Sequence, residues 1–132
     1  MIIDSSAILA VLFGEREAGN FRSAIENADQ VRLSAANWLE VSLRVDSKNS
    51  ALASHVLDDF IDAAGIDIVP VSVSMAKTAR QAFRVYGKGM GHPAQLNFGD
   101  CFAYALAKET GEPLLFKGTD FAATDIPSAL KA

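Results

Sequence analysis

The sequence predicts an α/β fold with a central parallel β-sheet flanked by helices on both faces. Three observations carry that expectation. Short apolar runs of strand type alternate with stretches of helical period along the whole length, which is the pattern of a parallel sheet whose crossovers are helices. Half of the 132 residues are apolar and 21% are charged, enough for a buried core. The length suits a single domain, residues 1–132, and leaves little room for a second.

Met1-Ile2-Ile3-Asp4 opens the chain as a short buried strand. Ser5 or Ser6 caps a helix running to about Phe13, with Ala7, Ile8, Val11 and Leu12 on one face. A second helix spans Glu15 to Ala28, a strand Val31 to Ser34, and a third helix Ala35 to about Val45 with Trp38, Leu39, Val41 and Leu43. Ser50 to Ala64 is the clearest amphipathic helix (Leu52, Val56, Leu57, Phe60, Ile61), closed by Gly65 before the strand Ile66 to Val69. A helix over Val73 to Tyr86 leads into the Gly-rich stretch Gly87 to Pro93. Asn97 caps a helix to Thr110, Gly111 closes it, and Leu114-Leu115-Phe116 is the last clear strand. The sequence shows no internal repeat, low-complexity segment or linker.

Composition excludes several classes. No stretch approaches the roughly 18 apolar residues of a membrane span. An apolar start without a basic region predicts no signal peptide. Cys101 is the single cysteine, so no internal disulfide forms and a reducing, cytoplasmic setting is expected. A net charge of −4 argues against a protein that coats nucleic acid non-specifically.

Acids recur where ligands bind in open α/β sheets, at the carboxyl ends of strands. Asp4 ends the first strand, Glu40 lies in the helix after the second, Asp100 opens the helix capped by Asn97, and Asp120 follows the last strand. Singly, each reads as an ordinary cap or turn residue. Together, four converging carboxylates repel one another unless divalent cations hold them. Hard oxygen ligands without His or Cys favour magnesium or manganese over zinc, and the reaction class this points to is phosphodiester hydrolysis.

Lys77, Arg80 and Arg84 fall in one arc of the helix over Val73 to Tyr86, and Lys88 continues the row; Met75, Ala79, Ala82, Phe83 and Tyr86 take the opposite, sheet-facing arc. A row of cations leading toward Asp100 suits a phosphate backbone, and a solvated helix face is the equal alternative. His92 reads as a surface-loop histidine, His55 as incidental, Cys101 as a small core residue.

Met1-Ile2-Ile3-Asp4-Ser5-Ser6-Ala7, Glu40 within an apolar helix, Asn97-Phe98-Gly99-Asp100 before Phe102-Ala103-Tyr104-Ala105-Leu106-Ala107, and Leu114-Leu115-Phe116-Lys117-Gly118-Thr119-Asp120-Phe121 together resemble a VapC toxin of the PIN-domain ribonucleases. The resemblance covers nearly the whole chain. It implies a PIN-like fold, magnesium- or manganese-dependent endoribonuclease activity, a VapB antitoxin partner in a toxin–antitoxin system, and a homodimer. Carried over by position, Asp4, Glu40 and Asp100 match the three acids of the motif and Asn97 a polar residue three places before the third. Many relatives carry the fourth acid two positions before Asp120, where this chain has Gly118, so Asp120 and Asp125 are both candidates. Ser5 or Ser6 holds a metal-bound water by the same similarity. Rival readings fit less well. A receiver module needs an acid pair at the first strand and a phosphoacceptor at a middle strand end, where Val69 runs into Pro70-Val71. A haloacid-dehalogenase-type phosphatase needs an Asp where Ser6 stands. A PIN scaffold that no longer cuts is disfavoured by the intact acids.

Overall fold

A computed structural model describes residues 1–130. Four parallel strands, β1 (Ile2–Ile3), β2 (Val31–Ser34), β3 (Ile66–Val69) and β4 (Leu114–Leu115), form one sheet in the order β3-β2-β1-β4. The register sets Ile2 against Arg32 on one side and Leu114 on the other, and pairs Val31 to Ser34 with Ile66 to Val69. Six helices connect them: α1 (Ser5–Leu12), α2 (Ala18–Asn27), α3 (Ala35–Asp46), α4 (Ala51–Ala63), α5 (Val73–Tyr86) and α6 (Phe98–Thr110).

Strand geometry sends successive side chains to opposite faces, and both faces are apolar here. Ile3 and Leu115 join Ile8, Val11, Phe21, Leu33, Val41 and Leu57 under α1 to α4. Ile2 and Leu114 join Ala79, Ala82, Leu96, Leu106 and Phe121 under α5 and α6. The sheet is therefore covered on both sides, as the alternating pattern predicts. Because all strands are parallel, their carboxyl ends share one edge, and β1, in the interior of the sheet, delivers Asp4 to it.

The helix starts follow from side-chain caps. Ser50 accepts from Ala53 N–H (3.1 Å) and Ser72 from Met75 N–H (3.0 Å). Gly111, at φ +70°, closes α6 in the left-handed conformation that glycine adopts without strain.

The structure differs from the sequence expectation in a few places. α2 begins at Ala18 rather than Glu15, because Glu15 N–H turns back to Ala10 O (2.9 Å) after Gly14 reverses the chain. β4 ends at Leu115. Phe116 leaves the sheet to pack on Phe121, 5.2 Å between ring centroids. A short 3₁₀ turn, Asp120–Ala123, follows, and the chain then returns along β4 through a bridge between Leu114 and Ser128. Neither feature has a periodicity that sequence reading detects. The Gly-rich stretch is folded back by a bridge between Gly87 and Leu96.

Candidate active site

Asp4 stands one residue beyond β1, its N–H donating to Leu115 O (2.9 Å). Asp4, not Ser5 or Ser6 as the sequence suggests, caps α1: Ser6 N–H and Ser6 Oγ–H both donate to Asp4 Oδ2, at 3.0 and 2.5 Å. The residue is 3% exposed, and its other oxygen, Oδ1, is buried without any hydrogen-bond partner. Burial pushes the Asp4 carboxyl up to about 6, against the pull of the Ser6 hydrogen bonds, and the Glu40 charge pushes the same way.

Glu40 comes from α3, one face of which (Asn37, Val41, Val45) is buried. Ser5 Oγ donates to Glu40 Oε1 (2.5 Å) and Asn37 Nδ2 reaches the same oxygen at 3.4 Å. The carboxylate lies against Gly99 of α6 so closely that any Cβ there would collide with it. Glycine at position 99 is what lets α6 approach an acid.

Asp100 sits in the first turn of α6 in a capping box with Asn97. Asn97 Oδ1 accepts from Asp100 N–H (2.9 Å), and Asp100 Oδ2 accepts from Asn97 N–H (3.0 Å). Burial pushes its carboxyl up to about 7; the Asn97 N–H opposes this, and the charges of Asp4, Asp120 and Glu40 add to it. The four acids predicted from distant stretches of chain thus share one electrostatic field. Asp120 is the exposed member, first residue of the 3₁₀ turn. Asp125 is occupied elsewhere: Tyr104 Oη–H (2.7 Å) and Lys108 Nζ (2.6 Å) both donate to it. Of the two candidates for the fourth acid, Asp120 is the one whose charge helps to raise the Asp100 carboxyl.

Sharing a field is not sharing a ligand shell. Among the described residues no three His, Cys, Asp or Glu side chains are gathered tightly enough to hold an ion as they stand. Glu40 is tied to Ser5, and one oxygen of Asp100 is turned back to its own helix. The donor set nevertheless fits a hard divalent cation. Asp4 Oδ1 is buried with no partner, Asp4 and Asp100 are both costly to ionise, and every nearby acid offers oxygen. The two serines bind acids directly. Ser5 holds Glu40, while Ser6 donates to Asp4 and accepts from Lys117 N–H (3.0 Å), linking the exit of β4 to Asp4.

Lys77, Arg80, Arg84 and Lys88 are all exposed, and among the described residues none of them enters an ion pair. Ala79 and Ala82 bury the opposite face, with Met75 and Tyr86 half-buried behind them. Phe83 was expected on that buried face and is instead 38% exposed, because small alanines let α5 sit close to the core and leave Phe83 on its shoulder. There it lines a groove with Arg80, Phe98 and Phe102. His92 packs edge-on against Tyr86 (4.8 Å) and accepts from Ala94 N–H, a loop-fixing role. Cys101 is buried in the α5–α6 core. Two residues of the site were missed in the sequence, Asn37 and Gly99. The available signals were a buried-face asparagine three residues before Glu40 and a glycine that no cap required.

The PIN domain family model matches residues 1–127. This chain belongs to the PIN-domain family. Within it, the chain is 47% identical over 130 residues to the VapC ribonuclease Mb0625 of Mycobacterium bovis, with 98% of each chain covered. It is 44% identical over 129 residues to ribonuclease VapC42 of Mycobacterium tuberculosis, again with 98% of each covered. The PIN fold recurs in Mycobacterium tuberculosis VapC20, a sarcin-ricin-loop-cleaving toxin (TM-score 0.73, 15% identity, 95% of both chains covered). It recurs also in a toxin–antitoxin complex from Klebsiella pneumoniae (TM-score 0.72, 19% identity, 99% of this chain and 98% of that one).

Proposed function

We propose that this chain is a VapC-type ribonuclease, the toxin of a toxin–antitoxin pair, and that it hydrolyses RNA phosphodiester bonds at the carboxylate site. Full-length similarity to VapC ribonucleases supports the activity. The observation that supports this site is the field shared by Asp4, Glu40, Asp100 and Asp120 beside the unpartnered Asp4 Oδ1.

Magnesium or manganese is the cofactor this donor set favours, held by Asp4 and Asp100 with Glu40 and Asp120 completing the set. When bound, the cation supplies an activated water and stabilises charge on the phosphate. The protein's own part is preorganisation. Ser6 fixes one oxygen of Asp4, and the other is left without a partner. Asn97 holds Asp100 at the first turn of α6, and Ser5 holds Glu40. Lys77, Arg80, Arg84 and Lys88 present unpaired cations to the backbone phosphates of the substrate.

A VapB-type antitoxin is the partner that VapC similarity implies. A second copy of the chain is the other. Leu39 (51% exposed), Leu43, Phe98 (80% exposed) and Phe102 form an apolar face that also borders Glu40, which supports a homodimer. Among the described residues no helix is long and apolar enough to cross a membrane. The unpaired cysteine supports a cytoplasmic setting.

The test is RNA cleavage by purified, antitoxin-free protein. Cutting should require added magnesium or manganese and be lost in Asp4→Asn with the fold retained. Cleavage that survives EDTA, or a fully active Asp4→Asn, overturns this function.

A further inference from the structure

We propose that Asn37 is a positioning residue for Glu40, fixing its carboxylate by a hydrogen bond and anchoring itself to α6 through Gly99. The inference rests on the nuclease reading above and adds to it a residue outside the acid set.

Asn37 lies in the first turn of α3, three residues before Glu40, so both side chains leave the same face of the helix. It is 0% exposed. Its amide donates to Gly99 O at 3.0 Å and reaches Glu40 Oε1 at 3.4 Å, committing both N–H groups to acceptors. Those acceptors fix the orientation of the amide, since the opposite flip would set Oδ1 against two oxygens. Oδ1 itself is buried with no partner. A polar group left unpaired in a core is a cost that an apolar side chain would avoid, so packing does not explain an asparagine here.

What the asparagine does is visible in its neighbours. Glu40 Oε1 takes donors from Ser5 of α1 and from Asn37. The rest of the carboxylate is confined against Gly99, where a Cβ would collide with it. Ser5 Oγ also reaches Asn37 O (3.4 Å). Residues of α1, α3 and α6 therefore close around one acid, and Asn37 is the one that touches both Glu40 and the backbone beside Asp100.

The experiment is a double-mutant cycle between Asn37→Ala and Glu40→Ala. It is read by steady-state RNA cleavage and by calorimetric titration with manganese, with thermal unfolding to confirm folding. A hydrogen bond that orients an acid is expected to be worth about 10- to 100-fold in activity or metal affinity. Asn37→Ala should lower kcat by that factor with little change in KM, weaken manganese binding in parallel, and cost nothing further once Glu40 is alanine. If Asn37→Ala does not fold, Asn37→Leu, which fills the buried space without a donor, enters the same cycle. Wild-type kcat and manganese affinity in the variant, or a loss that persists at full size without Glu40, overturns the role. A wild-type chain that neither cuts RNA nor binds manganese overturns the nuclease reading itself, and the role with it.

Discussion

Asp100→Asn removes a charge that the metal-free fold holds at a cost, so the variant should lose activity and gain stability. The Asp100 carboxyl is raised from 3.8 to about 7 by burial and by three neighbouring acids. At about 1.4 kcal/mol per tenfold, ionising it in the folded chain near neutral pH costs roughly 4 kcal/mol. The residue is only half-buried, and solvent screening brings that to about 2 kcal/mol. Asparagine keeps an oxygen for the Asn97 N–H and loses roughly 0.5 kcal/mol of favourable interaction with the helix N-terminus. The net gain is about 1–2 kcal/mol, or on the order of 5 °C in Tm for a chain of this size. The pH dependence has a definite sign. Between 3.8 and about 7 the folded chain keeps a proton that the unfolded chain has released, so wild-type stability falls as pH rises through that window. The advantage of Asp100→Asn should be full at pH 8 and small at pH 4. The assay is thermal unfolding in EDTA at both pH values, beside RNA cleavage in manganese. A variant that is less stable by the same amount at both pH values would refute the reasoning, because Asp100 would then be only a cap.

Manganese binding must displace the protons held by Asp4 and Asp100, so affinity measured by calorimetry should rise between pH 5 and 7, by up to about tenfold per pH unit for each proton released. A flat profile would mean that these acids are not ligands. Replacing Lys77, Arg80 and Arg84 together by Ala should reduce the slope of log affinity for single-stranded RNA against log salt by about 2. An unchanged slope in filter binding would reduce the stripe to a solvated face. Asp120→Asn should slow RNA cleavage while Asp125→Asn leaves it unchanged, since Asp125 is engaged by Tyr104 and Lys108. The reverse ranking in a cleavage time course would exchange their roles.

The sheet and its helices were legible because each element carries its own pattern: apolar pairs at Ile2-Ile3 and Leu114-Leu115, the helical spacing from Ser50 to Ala64, and the cap at Asn97. The acids were read as a set because parallel strands deliver their ends to one edge, and in the fold the charges of Asp4, Glu40 and Asp120 bear on Asp100. What escaped was tertiary. Phe83 and Leu39 have helical spacing suited to a core, yet α5 and α3 bury only the narrower faces centred on Ala79 and Ala82, and on Asn37, Val41 and Val45. Spacing gives the face of a helix but not how much of it a neighbour covers. Asn37 carries no motif and Gly99 only its place between Asn97 and Asp100, so their meaning appears only where α3 meets α6 around Glu40. The 3₁₀ turn at Asp120 depends on Phe121 docking under Phe116, a contact that local sequence does not encode.

The proposed function requires Asp4, Glu40, Asp100 and Asp120 to form one cation site that cuts RNA. Anomalous diffraction from crystals grown with manganese tests it most directly. A manganese peak is expected within bonding distance of both Asp4 and Asp100, with Asp4 Oδ1 among the ligands. Crystals saturated with manganese that show no peak beside Asp4, with the four side chains directed apart, would contradict it.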